Sequence, residues 1–125
     1  MKRWLGLFAI IFIFSAATAR ADQKPVSAGL WNAYWAKFQA AVAADDKEKV
    51  AALTQFPFTY QSPIDKAAFL KVYAKIFDVK TKKCLAKEKP VKDENGGYSA
   101  FCGETLYYFT PVAGDFRFTD IGAND

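Results

Sequence analysis

Histidine is absent from this sequence of 125 residues, and cysteine (two residues) and methionine (one) are scarce. Without histidine the chain lacks the commonest general base, the commonest metal ligand and the usual activator of serine or cysteine nucleophiles. A glycine-rich phosphate loop ending in Lys-Ser or Lys-Thr is also missing, as is a Gly-x-Ser-x-Gly nucleophile motif. We therefore expect no catalytic residue, no cofactor and no metal.

The two cysteines, Cys84 and Cys102, are too far apart for the Cys-x-x-Cys pattern of redox enzymes. In an oxidising compartment an even pair of cysteines predicts a disulfide. The bridge would close a loop of 19 residues, counted from 84 to 102 inclusive. Closing such a loop stabilises a fold by about 3 kcal/mol in the chain-entropy model. We predict a structural disulfide, with a redox pair as the alternative.

The longest apolar run, residues 5–14, is too short to span a membrane, which takes about 20 residues. Lys2 and Arg3 precede this run, and Ala19-Arg20-Ala21 follows it. This order is typical of a secretory signal peptide that is cleaved after Ala21. We predict a signal peptide over residues 1–21 and a single domain over 22–125. The mature protein would be periplasmic or secreted, without a stable membrane anchor.

Positive charge is weaker in the predicted mature protein than in the whole chain. The chain has 17 basic and 13 acidic residues, and three of the basic residues lie in the predicted signal peptide. The mature part therefore has a net charge near +1. Proteins that bind nucleic acids usually carry a large basic excess. We expect no nucleic-acid partner.

Three segments have the apolar spacing of helices. Residues 27–44 carry an apolar stripe at three- and four-residue steps, which indicates a helix packed on a core. An Asp-x-x-Glu capping pattern at Asp45 predicts a short second helix across 47–53. Asp65 is the expected cap of a third helix over 66–77. The stripe of the first helix consists of Trp31, Tyr34, Trp35, Phe38, Ala41 and Val42.

Strands are predicted on both sides of the third helix. Residues 56–60 form a short strand in which Pro57 cannot donate to a ladder, so this strand should lie at a sheet edge or start there. Residues 62–65 are predicted to be a turn. After residue 97 the apolar period changes to two, which predicts three strands with short antiparallel connections. They cover residues 98–102, 105–110 and 116–121. The fold class is therefore α+β.

Residues 78–97 form the most polar stretch of the chain. We interpret it as a solvated loop with a short helical turn at Cys84 and Leu85, attached to the domain by the disulfide. Residues 93–97 within it read as a hairpin turn. The alternative is a basic recognition patch, although acidic residues dilute its charge. The lysines of this stretch are Lys80, Lys82, Lys83, Lys87, Lys89 and Lys92.

Carboxylates and tyrosines are the remaining groups that could perform chemistry. A protonated carboxylic acid and a tyrosine can form an oxyanion hole in a dry apolar pocket. A tyrosine can equally pack its ring and keep its hydroxyl in water. The candidate ligand-binding residues are Trp35, Tyr60, Tyr73, Tyr108 and Asp120.

The order of these elements resembles small secreted bacterial proteins of the nuclear transport factor two-like superfamily, also called cystatin-like or ketosteroid-isomerase-like. The resemblance covers most of the mature chain. It implies helices packed on a curved antiparallel sheet, shaped like a cone that can hold a small apolar ligand. Enzymes of the superfamily commonly use an Asp-His or a Tyr-Asp pair. The first is impossible here and no residue matches the second. The resemblance is carried by Trp35-x-x-Phe38, by 46–50 with Leu53, by Phe56-Pro57-Phe58, by 68–77 and by 116–122.

We therefore expect an exported, non-catalytic binding or interaction module. An aromatic-lined cavity would take a small apolar ligand, or an exposed face would dock a periplasmic protein. One alternative is an isomerase or dehydratase that uses a buried tyrosine and aspartate. Another is an inhibitor that presents the lysine-rich loop to an acidic cleft. The sequence does not predict an oligomeric state.

Overall fold

The computed structural model describes residues 28–123, and the predicted signal peptide and the polar lead-in over 22–27 lie outside these described residues. Within residues 28–123, four helices and six strands follow one another, which confirms the α+β class. The helices are α1 (Ala28–Ala43), α2 (Lys47–Ala52), α3 (Lys66–Ile76) and α4 (Val79–Lys87). The strands are β1 (Thr54–Tyr60), β2 (Ser62–Ile64), β3 (Val91–Lys92), β4 (Tyr98–Cys102), β5 (Thr105–Val112) and β6 (Asp115–Ala123).

The strands form one curved, open sheet in the order β2-β1-β6-β5-β4-β3. The predicted meander of three strands is confirmed as β4, β5 and β6. The sheet is mixed rather than wholly antiparallel, because β6 runs parallel to β1. A parallel pair needs a long crossover, and here the chain passes through two helices and four strands before it returns. Periodicity within a segment does not reveal such a distant pairing.

Aromatic rings fill the space between the helices and one face of the sheet. The predicted stripe of α1 is buried, and Phe38 is fully inaccessible. The Trp31 ring stacks on Tyr98 of β4 with centroids 4.0 Å apart, and Phe38 meets Phe109 of β5 edge-on at 4.9 Å. Such ring pairs stabilise a core beyond their buried area. The aromatic richness of the chain is therefore accounted for largely by the core.

The second helix begins at Lys47 as predicted, but its capping residue is one position later than predicted. Asp46, not Asp45, is its N-cap, and its Oδ1 accepts a hydrogen bond from the Lys49 amide at 3.2 Å. Asp45 has a φ of 50°, so it is the left-handed residue that turns the chain after α1. The predicted cap of the third helix is confirmed, since Asp65 Oδ1 accepts from the Ala68 amide at 2.8 Å.

The prediction that the Pro57 strand lies at a sheet edge or starts at Pro57 is wrong. β1 begins at Thr54 and lies between β2 and β6. Proline is tolerated there because the pairing of β1 with β6 shifts register between Thr54 and Thr59, where no ladder position requires the missing N–H. Residues 62–64, predicted as part of a turn, form the short strand β2 instead.

The polar stretch over 78–97 is not one loop, since α4 occupies nine of its residues. Asp78 caps this helix by accepting from the Thr81 amide at 2.8 Å, and Leu85 is the buried anchor. The predicted hairpin turn is confirmed, because β3 and β4 pair across it and Asp93 Oδ1 accepts from the Gly97 amide at 2.9 Å.

The predicted disulfide is also present. Cys84 of α4 is bonded to Cys102 of β4, with Cα atoms 5.8 Å apart. The bridge thus attaches the most polar helix to the sheet. No helix within residues 28–123 is long and apolar enough to cross a membrane.

Candidate functional site

The structure separates the five predicted ligand-binding residues. Trp35 and Tyr73 belong to the core, with 9% and 2% of their surface exposed. Tyr60 is half-buried and packs beside the core. Tyr108 of β5 and Asp120 of β6 are the two that the structure brings together, as directly opposed partners across the β5–β6 ladder. The candidate site is therefore built around these two residues.

Strand alternation places Tyr108 and Asp120 on the side of the sheet away from the helices. Tyr107 and Phe109 are buried in the core, so the residue between them must point to the other face. In β6 the register shifts after Phe118, and Thr119 is an extra residue there. This bulge brings Asp120 opposite Tyr108 and puts its side chain on the same face.

We call the surface around this pair the outer sheet face; its residues are Ser99, Phe101, Leu106, Tyr108, Asp120 and Gly122. All six share one side through the registers of β4, β5 and β6. Phe101 is 41% exposed, although it is a large apolar residue. Val91 extends the face at the sheet edge and is 58% exposed. Asp120 is the one carboxylate among the six. Within the described chain, the helices contribute their buried side chains to the opposite face.

The Asp120 carboxylate accepts a hydrogen bond from one neighbouring hydroxyl group. The Thr119 hydroxyl donates to Asp120 Oδ1 at 3.0 Å, and it lies 3.0 Å from the Thr110 hydroxyl. Among residues 28–123, no lysine or arginine lies within ion-pair distance of Asp120. The neighbouring Arg117 is directed elsewhere, since its Nη1 donates to the Ala52 carbonyl at 3.0 Å. The Asp120 carboxylate thus has a fixed orientation but no ion-pair partner among the described residues.

Gly122 is required by the position of Tyr108. A Cβ atom on Gly122 would lie 2.9 Å from Tyr108 Cε2 and 3.2 Å from its hydroxyl. The tyrosine ring therefore lies flat over the glycine instead of standing up from the sheet. Sequence reasoning missed Gly122, Phe101 and Leu106 as site residues. A glycine inside a strand was the available signal, since it often marks a close approach.

The deeply buried tyrosines have structural roles. Burial raises the pKa of Tyr34 and Tyr107, whose hydroxyls donate to the Leu53 and Ile76 carbonyls at 2.8 and 3.1 Å. Burial, reinforced by the charge of Asp45 and Asp46, raises the pKa of Tyr73 to about 12. All three hydroxyls stay protonated at neutral pH.

One cluster has the composition of a metal site. The sulfurs of Cys84 and Cys102 and a carboxylate oxygen of Glu88 lie within 4.8 Å of one another. A cysteine binds metal as its thiolate. Because the disulfide consumes both thiols, Glu88 is the one metal ligand left in this cluster.

Two surface grooves can be compared with the predicted aromatic-lined cavity. One, between α1 and α2, has a volume of about 590 Å³ and is lined mainly by alanine. The other lies beside the disulfide, has a volume of about 340 Å³ and is lined by polar and charged residues. Neither groove has an aromatic side chain in its lining. The outer sheet face, by contrast, exposes two aromatic rings on an open surface.

No protein-family model matches the chain, and no curated protein or solved structure matches it with significant similarity. The resemblance to the nuclear transport factor two-like superfamily therefore stays a prediction.

Proposed function

We propose that this protein is an exported, non-catalytic interaction module that docks a partner protein on its outer sheet face. The partner would place a lysine or arginine side chain on the Asp120 carboxylate and an apolar surface against Phe101, Leu106 and Tyr108. The observation that carries the proposal is the Asp120 carboxylate, which is oriented by Thr119 and has no ion-pair partner within the described chain.

The composition of the outer sheet face supports a protein partner. The centres of protein interfaces are depleted of charge and enriched in tyrosine and phenylalanine, as this face is. A carboxylate without an ion-pair partner of its own selects a docking surface by the sign of its charge. A guanidinium group could also stack on the flat Tyr108 ring while it pairs with Asp120.

The enzyme alternative has less support from the geometry. Its oxyanion hole needs a carboxylic acid in a water-excluded pocket. Tyr108 and Asp120 are both half-buried on an open sheet face, where water has access. Tyr73 is buried, but it belongs to the core on the other side of the sheet.

The inhibitor alternative also has less support, because much of its lysine-rich loop is helical. Lys80, Lys82, Lys83 and Lys87 lie on α4. Lys82 is already paired, with its Nζ 2.8 Å from Asp45 Oδ2. These lysines follow a rigid helix rather than an extended loop that could enter a cleft.

The test compares the mature protein with Asp120→Asn and with Glu104→Gln as the matched control. Glu104 is an exposed carboxylate in the β4–β5 turn, away from the outer sheet face. Each protein is incubated with periplasmic extract and treated with a water-soluble carbodiimide, which couples a carboxylate to a lysine amine that it contacts. Mass spectrometry then identifies the coupled residues. We expect a cross-link from Asp120 when the partner's cation is a lysine. With either a lysine or an arginine, we expect at least tenfold weaker binding of the purified partner by Asp120→Asn.

Three results would contradict the proposal. Equal binding of the purified partner by both variants would remove the role of Asp120. Chemical-shift changes that avoid residues 99, 101, 108 and 122 would move the interface elsewhere. Sedimentation could also show that this chain self-associates through the outer sheet face. The docked molecule would then be a second copy of the chain and not another protein.

A further inference from the structure

We infer that the groove between α1 and α2 is a second binding site, for a small amphipathic anion: one aliphatic chain that ends in a carboxylate or similar anionic group. This site lies on the helical side of the protein and does not depend on the proposed docking function. Its geometry and its charges support the assignment separately.

The groove has the size and lining of a site for an alkyl chain. Its volume of about 590 Å³ falls in the usual range of small-molecule sites, about 300–1,000 Å³. Ala40 and Ala41 of α1, with Ala44 just after its end, line one side, and Ala52 of α2 and the adjacent Leu53 line the other. Small side chains leave the space open, and no aromatic ring is present to stack on a flat ligand.

Alanine at these positions is not explained by the packing of α1 on the core. The buried side of the helix carries large aromatic rings, whereas Ala40 and Ala44 are exposed and do not belong to the buried core. An exposed helix face usually carries charged or long polar side chains. Lys37 is the one charged residue of α1, and it lines the groove.

The charges at the groove select an anion. Its lining contains Lys37, Lys49 and Asp46. The Asp46 carboxylate is already engaged, because one oxygen accepts from the Lys49 amide and the other lies 3.8 Å from Lys49 Nζ. Lys37 has no ion pair in the part of the chain that the structure describes. One unpaired positive charge thus lies at the border of an apolar groove.

The two parts of the ligand would contribute unequally. Lys37 and Lys49 are exposed, and exposed ion pairs bind weakly. Burial of the alkyl chain supplies most of the affinity, at about fourfold for each methylene removed from water. The lysines decide the sign of the head group. Affinity should therefore rise with chain length until the groove is full.

The experiment uses dansyl-undecanoate as a fluorescent probe for the mature protein, with competitors kept below their critical micelle concentrations. We expect dodecanoate to displace the probe at least tenfold better than dodecyltrimethylammonium, which has the same chain and the opposite charge. Ala40→Leu, which fills the groove, should weaken probe binding at least tenfold. Ala36→Leu is the matched control, because Ala36 is exposed on the same helix and does not line the groove.

A second pair of variants tests the charge. Lys37→Gln should reduce the preference for dodecanoate over the cation, while Lys71→Gln on α3 should leave it unchanged. Cosedimentation with phosphatidylglycerol vesicles separates the two sources of such a chain. If the protein binds the vesicles and Ala40→Leu abolishes this binding, the natural ligand is a lipid. If the protein binds free dodecanoate but not the vesicles, the natural ligand is a soluble fatty anion.

The inference is overturned if Ala40→Leu and Ala36→Leu weaken binding of the probe equally. It is also overturned if dodecyltrimethylammonium displaces the probe as well as dodecanoate does. Circular dichroism and urea melts establish that each variant is folded before binding is compared. Asp120→Asn should leave probe binding unchanged, and Ala40→Leu should leave partner docking unchanged. Failure of one site is therefore distinguishable from failure of the other.

Discussion

Replacement of Tyr73 by phenylalanine should stabilise the protein, although it removes a polar group from the core. Tyr73 is 2% exposed, and its buried hydroxyl has no hydrogen-bond partner in the described part of the chain. A buried polar group without a partner costs about 1–3 kcal/mol. Phenylalanine keeps the ring contacts with Phe69 and Phe77 and the Lys47 ammonium 5.7 Å from the ring centroid. We expect a gain of about 1 kcal/mol, which takes the low end of that range.

Two other buried tyrosines provide matched controls with the opposite sign. The Tyr34 hydroxyl donates to the Leu53 carbonyl at 2.8 Å, and that of Tyr107 donates to the Ile76 carbonyl at 3.1 Å. A satisfied hydrogen bond contributes about 1 kcal/mol net. Tyr34→Phe and Tyr107→Phe should each lower the free energy of unfolding by about that amount.

Urea and thermal melts at pH 7 measure the three variants side by side. For a domain of this size, 1 kcal/mol corresponds to a Tm shift of about 4–8 °C. Tyr73→Phe should therefore melt above the parent protein, and the two controls below it. A Tyr73→Phe variant destabilised as much as Tyr34→Phe would refute the reasoning, since it would mean that the Tyr73 hydroxyl makes a favourable interaction.

Further measurements test the pH dependence and the backbone. In the native state the pKa of the Tyr73 hydroxyl is about 12, whereas the pKa of an ordinary tyrosine is 10.0. Stability should therefore fall between pH 10 and 12, and urea melts should show a shallower fall for Tyr73→Phe. Replacing Cys84 and Cys102 by serine should cost about 3 kcal/mol in the same assay; an unchanged melt would contradict a stabilising role. Gly97→Ala would bring a Cβ 2.7 Å from the Phe109 carbonyl oxygen. It should cost about 2 kcal/mol, and a thermal melt equal to the parent's would show that the backbone can move away.

Much of the fold could be predicted because it follows from local patterns. The aromatic stripe of α1, the Asp65 cap and the three C-terminal strands each depend on residues close together in the sequence. α4 was missed because its nine residues include four lysines and one buried residue, Leu85, so no apolar stripe marks it. The parallel pairing of β1 with β6 was missed because it joins residues more than 50 positions apart.

The candidate site was predicted in part for the same reason. Tyr108 and Asp120 could be named individually from their chemistry, as could Trp35 and Tyr73. Which of them share a surface depends on the bulge at Thr119, which reverses the alternation of β6. A shift of one residue moves a side chain to the other face of a sheet. Phe101, Leu106 and Gly122 could be assigned to the site once that register was known.

The outermost strands bear on how this protein behaves at high concentration. β2 has three residues, one of which is Pro63, and β3 has two. Borders this short offer few free backbone groups to an incoming chain, and proline removes one of them. Fibril growth by the addition of further strands is therefore disfavoured at both edges of the sheet. The folded protein should therefore remain dispersed at high concentration.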